Sequence, residues 1–431
     1  MVFAKQEISV DLRRVLFEIA YALDAVGVDE IYHGHRVAYI AHRCAQQLNW
    51  SNEKAQFVFS LGLIHDCGVS DLNERNELLS QLVPSNTNHH CIRGYELLSA
   101  CQPLSSMATP ILYHHTWWQD LNHLSGISEE DKQFASLVFL ADRLDNLRAN
   151  ANLDCYGNLS KQCKRNIAEE LKANCDVMFE TTQVNAMLEL IECDDFWFSM
   201  EPRYIESLAE HFSYLPFFSL RIGLDESIEV AELFGKIVDA KSAFTYQHSL
   251  HVAQLAEYLG SQLGYPAYTT RMLYFAGLIH DIGKLKTPSR VLHKPGTLTE
   301  EEYICIKRHA TDSRHVLQRI FANTEIIQWA SNHHERLDGS GYPLGLGAAD
   351  LDEPSRLIAI TDVFQALTQS RPYRAGLSLE KAIAIIRELV EQGKLDAELF
   401  TCLVANAQEC YRISTGQKMH VEPLLVCNGS L

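Results

Sequence analysis

Two sets of histidines, laid out at nearly the same spacing in the two halves of this 431-residue chain, constrain its fold more than any other feature. In the second half they run His248, His280-Asp281, His309, His333-His334 and then Asp362. In the first half they run His33, His65-Asp66, His90, His114-His115 and then Asp142. The first two histidines are 32 residues apart in both halves, and the third precedes the His-His pair by 24 in both. From that pair to the last aspartate the interval is 29 against 28, and only the second interval drifts, 29 against 25. Gly-Leu-Ile-His-Asp occurs in each half, at Gly62–Asp66 and Gly277–Asp281. Such a repeat predicts two copies of one domain, and the length suits two domains of roughly 200 residues.

Apolar residues recur at helical spacing over Leu12–Val26, His35–Leu48 and Asn52–Ile64, and convincing alternating strands are absent. Ser51 is placed to cap the third of these. Loops are expected over 82–88, 121–128 and 152–158, followed by one or two long helices over Ser160–Glu192 and a new helix over Leu224–Asp239. The fold class is therefore all-α, with a first domain over 1–200, a connecting segment over 201–223 and a second domain over 224–431.

The net charge of −18 argues against binding to a nucleic-acid polymer or an anionic membrane. It also requires any phosphate-binding site to concentrate basic residues locally. The N-terminus lacks the apolar run of a signal peptide and no segment reaches a membrane span, so a cytoplasmic location is expected. The twelve cysteines form no Cys-x-x-Cys pair and read as reduced thiols. Cys67 and Cys91, which sit beside candidate ligands, leave a redox-sensitive site as a minor alternative.

Seven ligand-type residues per copy suit two divalent ions sharing a bridging carboxylate. Imidazole and carboxylate without thiolate favour iron or manganese, with zinc, magnesium or nickel as alternatives. Isolated histidines such as His251, His293, His315 and His420 read as packed or solvated side chains. After His333-His334 the chain runs Glu-Arg-Leu-Asp-Gly-Ser-Gly-Tyr-Pro to Pro343, a glycine-rich turn with a fixed exit.

His280-Asp-Ile-Gly-Lys284 together with Gly341-Tyr342-Pro343 resembles the HD-GYP family, bacterial cyclic-dinucleotide phosphodiesterases within the HD phosphohydrolases. The resemblance extends from about Val238 to Arg374, through Leu292–Glu300, Ala359–Leu367 and Arg371-Pro-Tyr-Arg374. It implies that His248, His280, Asp281 and Asp362 hold one metal and that Asp281 bridges to a second on His309, His333 and His334. A variant of the family with three metals carries a glutamate four residues before the first histidine. Phe244 stands there, so two metals are expected. A metal-bridging hydroxide would attack phosphorus in line with the departing 3′-oxygen, and Lys284 would neutralise the developing charge. Arg371 and Arg374 would grip a second phosphate or a guanine edge. Gly341, Tyr342 and Pro343 would form a lip against the ligand, or a docking point for a diguanylate-cyclase-type partner.

The first copy departs from this pattern. Val69 stands in the place of Lys284, Thr116-Trp-Trp-Gln-Asp120 replaces the lip, and no Arg-Pro-Tyr-Arg follows Asp142. It resembles a degenerate HD domain, expected to bind metal, with Asp29 as a further candidate ligand, and to hydrolyse little or nothing. A degenerate HD domain ahead of an HD-GYP domain resembles phosphodiesterases acting on 3′3′-cyclic GMP-AMP. The leading expectation is thus hydrolysis of that molecule to a linear dinucleotide. The alternatives are cyclic di-GMP as substrate, a 5′-nucleotidase activity on the linear product, or a non-catalytic binding module. The sequence leaves the oligomeric state open.

Overall fold

The computed structural model describes residues 8–24, 32–69, 88–154, 158–212, 221–241, 245–292, 294, 296–321, 324–370 and 375–417. Asp29, Phe244, Arg371, Arg374, His293, His420 and most of the loop expected over 82–88 lie outside these residues. Among the described residues the architecture is α-helical, as the periodicity predicts, with one antiparallel ladder of two residues per strand, Ile8–Ser9 against Arg221–Ile222. None of their helices is long and apolar enough to cross a membrane.

The chain falls into two compact units. One comprises Met1–Tyr246 with Asp281–Ile327, the other Gln247–His280 with Gln328–Leu431. The second unit holds only part of the second copy, because residues 281–327 belong to the first. In the first unit the helix Asn52–Ile64 is buried from Ala55 to Ile64, which accounts for its apolar residues lying on all faces. Ser51 caps it, its hydroxyl accepting the Lys54 amide at 3.3 Å. It packs on the helix His33–Gln47 with Gly62 against Ala38, where an added Cβ would lie 2.5 Å from the Ala38 Cα. In the second unit Gly277, near the end of the helix Ala267–Ile279, meets Ala253 in the same way, at 2.7 Å. Each copy needs glycine there because two helix backbones touch.

Further along the first unit come the helices Asn88–Ser99, Glu129–Ala149, Lys161–Ala173 and Thr181–Ile191. The stretch Ser160–Glu192 thus forms two helices. They are broken where Asp176 takes a positive φ of 62°, with Ser160 capping the first and Glu180 the second. The helix Glu300–Ile320 also belongs to this unit: Ile320 accepts the Asp11 amide at 2.9 Å and Arg319 pairs with the buried Glu18 at 2.9 Å. The second unit is completed by the helices Glu353–Thr368, Leu379–Glu391, Ala397–Ala405 and Ala407–Thr415. Arg356 ties the first of these to Asp396 at 2.9 Å.

Candidate metal centres

The adjacent ligand pairs stand at helix ends, where the chain turns and neighbouring side chains can serve one centre. His65 and His280 are the C-cap residues of Asn52–Ile64 and Ala267–Ile279, with matching backbone angles (φ −55°, ψ −35°). That geometry lets each ring fold back and donate from Nδ1 to a carbonyl three residues earlier: His65 to Gly62 at 2.9 Å, His280 to Gly277 at 2.7 Å. His114 and His333 do the same to Ile111 and Ala330, both at 2.6 Å, and His309 to Ile306 at 2.6 Å. A carbonyl can only accept, so in the neutral ring the proton sits on Nδ1 and Nε2 keeps its lone pair, the tautomer of a metal ligand.

In the second unit His248 obtains this tautomer differently, donating from Nδ1 to the side-chain oxygen of Gln365. Its Nε2 then faces Asp362 Oδ1 at 3.1 Å. Two electron-rich atoms so close are held together by a proton or a cation. Two ligands about 2.0–2.1 Å from one ion stand roughly 2.9–3.4 Å apart, so the spacing fits a shared metal. His280 Nε2 lies 3.8 Å from Asp362 Oδ1, and His334 Nδ1 lies 3.7 Å from Asp362 Oδ2. The His333 ring packs on those of His280 and His334, with centroids 4.7 and 4.0 Å away. Burial pushes the Asp362 carboxyl up, but the His248 hydrogen bond and the charges of His334 and His280 outweigh it and hold it well below the usual range. His251, which reads from sequence as an ordinary packed histidine, stands behind this group, its Nδ1 3.5 Å from Gln365 Nε2.

The glycine-rich turn supports a candidate ligand, His334, from behind. Glu335 is buried, and its carboxylate accepts the amides of Leu344 at 2.7 Å and Leu346 at 2.9 Å. Gly341 lies so close to Glu335 that an added Cβ would come within 2.4 Å of its Cα. This clamp brings the Tyr342 amide to the His334 carbonyl at 3.2 Å and the Tyr342 ring to 4.6 Å from the His334 ring. The Tyr342–Pro343 bond is cis. Tyr342 therefore buttresses a candidate ligand, a role that its place in the motif does not disclose.

The remaining residues of the second pattern, Asp281, Lys284 and His309, belong to the first unit. Asp281 Oδ1 faces His309 Nε2 at 3.4 Å, and Lys284 Nζ pairs with Asp281 Oδ2. The lysine predicted to handle phosphate charge is thus held on the carboxylate predicted to bridge two metals.

The first copy brings together Asp66, His90, His114 and His115, and also His33, His65 and Asp66, each set with donor atoms within 4.8 Å of one another. It differs in what surrounds Asp142. The buried Arg143 reaches Asp142 Oδ2 through Nη2 at 2.7 Å and Nε at 3.2 Å. His33 lies between Asp142, 3.3 Å from Nε2, and Asp145, 2.8 Å from Nδ1. Burial alone would lower its pKa, but the hydrogen bonds to the two carboxylates raise it to about 10. His114 moves the other way, to about 3, through burial and the neighbouring His90 and His65. Cys67 and Cys91 are free buried thiols pushed up by burial, Cys67 to about 12, which keeps them protonated and unreactive.

A repeated HD-type helical domain with His/Asp sets of this composition defines a metal-dependent phosphohydrolase class, and the comparisons with known proteins agree. HD-domain family models match residues 31–147 and 232–399. The chain belongs to the HD family, in its HD-GYP branch of cyclic-dinucleotide phosphodiesterases. It is 49% identical over 411 residues, 95% of both chains, to the 3′3′-cGAMP-specific phosphodiesterase 1 of Vibrio cholerae. It is 36% identical to a cyclic di-GMP phosphodiesterase of Pseudomonas aeruginosa over 37% of this chain and 39% of that one. Its fold resembles the crystal structure of a cyclic GMP-AMP specific phosphodiesterase of V. cholerae. The TM-score is 0.60 at 23% identity, covering 93% of this chain and 98% of that one.

Proposed function

We propose that the second copy hydrolyses one phosphodiester bond of 3′3′-cyclic GMP-AMP, giving a linear dinucleotide. The observation that carries the reading is that His248, His280, His309 and His333 all commit Nδ1 to a protein acceptor, leaving Nε2 for a metal, in a copy that also retains Lys284. The preference for 3′3′-cyclic GMP-AMP over cyclic di-GMP rests on the 49% identity, across nearly the whole of both chains, to a relative specific for it.

We assign two divalent ions, iron or manganese, to His248, His280, Asp281, His309, His333, His334 and Asp362. Ions held there would supply Lewis acidity and lower the pKa of coordinated water. Gln365 and the backbone carbonyls hold the Nδ1 atoms and so aim the imidazoles. Lys284 offsets charge that builds on the non-bridging phosphate oxygens as the bond to the 3′-oxygen breaks. Arg371 and Arg374 grip the other phosphate or a guanine edge, supplying the basic patch that the net charge of −18 requires. Gly341, Tyr342 and Pro343 shape the lip against the ligand, with Tyr342 also steadying His334, and the same lip is the point at which a cyclase-type partner would dock.

The test is to incubate manganese-loaded protein with each cyclic dinucleotide and separate the products by chromatography. Linear product from 3′3′-cyclic GMP-AMP, absent with Asp281→Ala, is expected. No turnover of any cyclic dinucleotide by the loaded wild type would overturn the enzyme reading.

A further inference from the structure

The first copy carries a ligand set that the proposed hydrolysis does not use. We propose that it holds a single divalent ion on Asp66, His90, His114 and His115, and that the Arg143 guanidinium takes the place of a second ion by occupying Asp142. This goes beyond the assignment of the catalytic copy and does not depend on it.

The donor side rests on distances. His90 Nε2 and His114 Nε2 stand 3.3 Å apart, and His114 has committed Nδ1 to the Ile111 carbonyl, so its Nε2 presents a lone pair. Two nitrogens bound tetrahedrally at about 2.0–2.1 Å to one ion are separated by about 3.4 Å. Asp66 Oδ1 lies 3.7 Å from the same His90 nitrogen, and all four residues offer donor atoms within 4.8 Å of one another. Three of the four are imidazoles, a set that suits a first-row transition ion.

The closed side rests on what already holds the carboxylates. Asp142 Oδ2 receives two nitrogens of Arg143, whose side chain is 1% exposed, and Asp142 Oδ1 faces His33. The other nitrogen of His33 is taken by Asp145, which also receives Arg36 through Nε at 2.7 Å and Nη2 at 3.0 Å. A second ion on His33 and Asp142 would have to displace a buried guanidinium and break this chain of contacts. The second copy has different residues at each point: Val363 follows Asp362 where Arg143 follows Asp142, Gln365 stands for Asp145, and His251 stands for Arg36. The two copies therefore share a ligand pattern and differ in the cations built around it. With one ion and with Val69 in the place of Lys284, the first copy carries a structural or regulatory metal, not a hydrolytic pair.

The test counts metal in the full-length protein, loaded with Mn2+, desalted and analysed by mass spectrometry. The double variant His90→Ala/His114→Ala is expected to hold one ion per chain fewer than wild type. No difference would overturn the proposal in favour of a proton shared between His90 and His114. A loss of two would overturn the single-ion claim. Arg143→Val, which installs the residue of the second copy, is expected to gain one ion, and a folded variant that gains none would refute the role given to Arg143. Should that variant not fold by circular dichroism, the electron paramagnetic resonance of Mn2+-loaded Asp281→Ala/His309→Ala protein decides. An uncoupled six-line signal, reduced by adding His90→Ala/His114→Ala, is expected. A spin-coupled pair lost on the same addition would contradict the proposal.

Discussion

His248 donates its Nδ1 proton to the side-chain oxygen of Gln365, whereas His33, its counterpart in the first copy, gives the same nitrogen to the carboxylate of Asp145. The amide oxygen can only accept, so it fixes the tautomer of a candidate metal ligand. A carboxylate paired on both sides of the ring, as around His33, favours the imidazolium, which cannot bind a metal. One side chain thus separates a ring available to a metal from one tied into an internal ion-pair network.

Removing that hydrogen bond should weaken metal binding. Gln365→Ala is expected to lower metal affinity by about 10–100-fold, the usual cost of losing a partner behind a ligand. Competition with a chelator of known affinity measures it. An unchanged affinity would make Gln365 a packing residue only.

Lys284 pairs with Asp281, and replacing it separates holding the metals from using them. Lys284→Ala is expected to retain its ions and to lose about 10²–10³-fold in kcat, the scale for one charge-stabilising donor. Metal analysis and steady-state kinetics on the same preparation check this, and loss of metal would show the lysine to be structural.

The clamp under His334 makes a prediction about folding. A Cβ on Gly341 would collide with the Glu335 backbone, so Gly341→Ala should cost about 1–3 kcal/mol of stability and displace Tyr342 from His334. Thermal unfolding reads the first effect and metal content the second. An unchanged Tm would show that the turn absorbs the methyl group.

Acid should destabilise the first unit through His42, which is buried against Phe59 and Phe212. Burial, with Arg43 adding to it, lowers its pKa from 6.5 to about 4. The unfolded chain therefore takes up a proton between those values and the folded chain does not, so stability is lost as pH falls from 6.5 to about 4. The total is about 3 kcal/mol at 1.36 kcal/mol per pKa unit. Denaturant unfolding of wild type and His42→Leu at pH 7 and pH 4.5 checks it. The variant should show the smaller loss, and equal losses would contradict the account.

The repeat made much of this legible in the sequence, because helices with candidate ligands at their ends cannot change spacing without moving those residues. The helical class and the helix Asn52–Ile64 with its Ser51 cap follow from periodicity and capping chemistry, and the structure has them as expected. The supporting residues were not legible. Gln365 and Asp145 differ in type, so aligning histidines passes over them, although each stands three residues after the last aspartate of its set. Arg143 reads as an ordinary charge on a helix until burial shows it bound to Asp142. The contact of Tyr342 with His334 is not legible either, because the motif alone does not show that Glu335 and Gly341 bring the two rings together.

Selectivity of the second copy for 3′3′-cyclic GMP-AMP is open to direct measurement. The most direct measurement incubates metal-loaded protein with an equimolar mixture of 3′3′-cyclic GMP-AMP and cyclic di-GMP and follows both by mass spectrometry, giving the ratio of kcat/KM in one tube. Faster disappearance of 3′3′-cyclic GMP-AMP, abolished by Asp281→Ala, is predicted. Preferential loss of cyclic di-GMP, or turnover that survives Asp281→Ala, would contradict it.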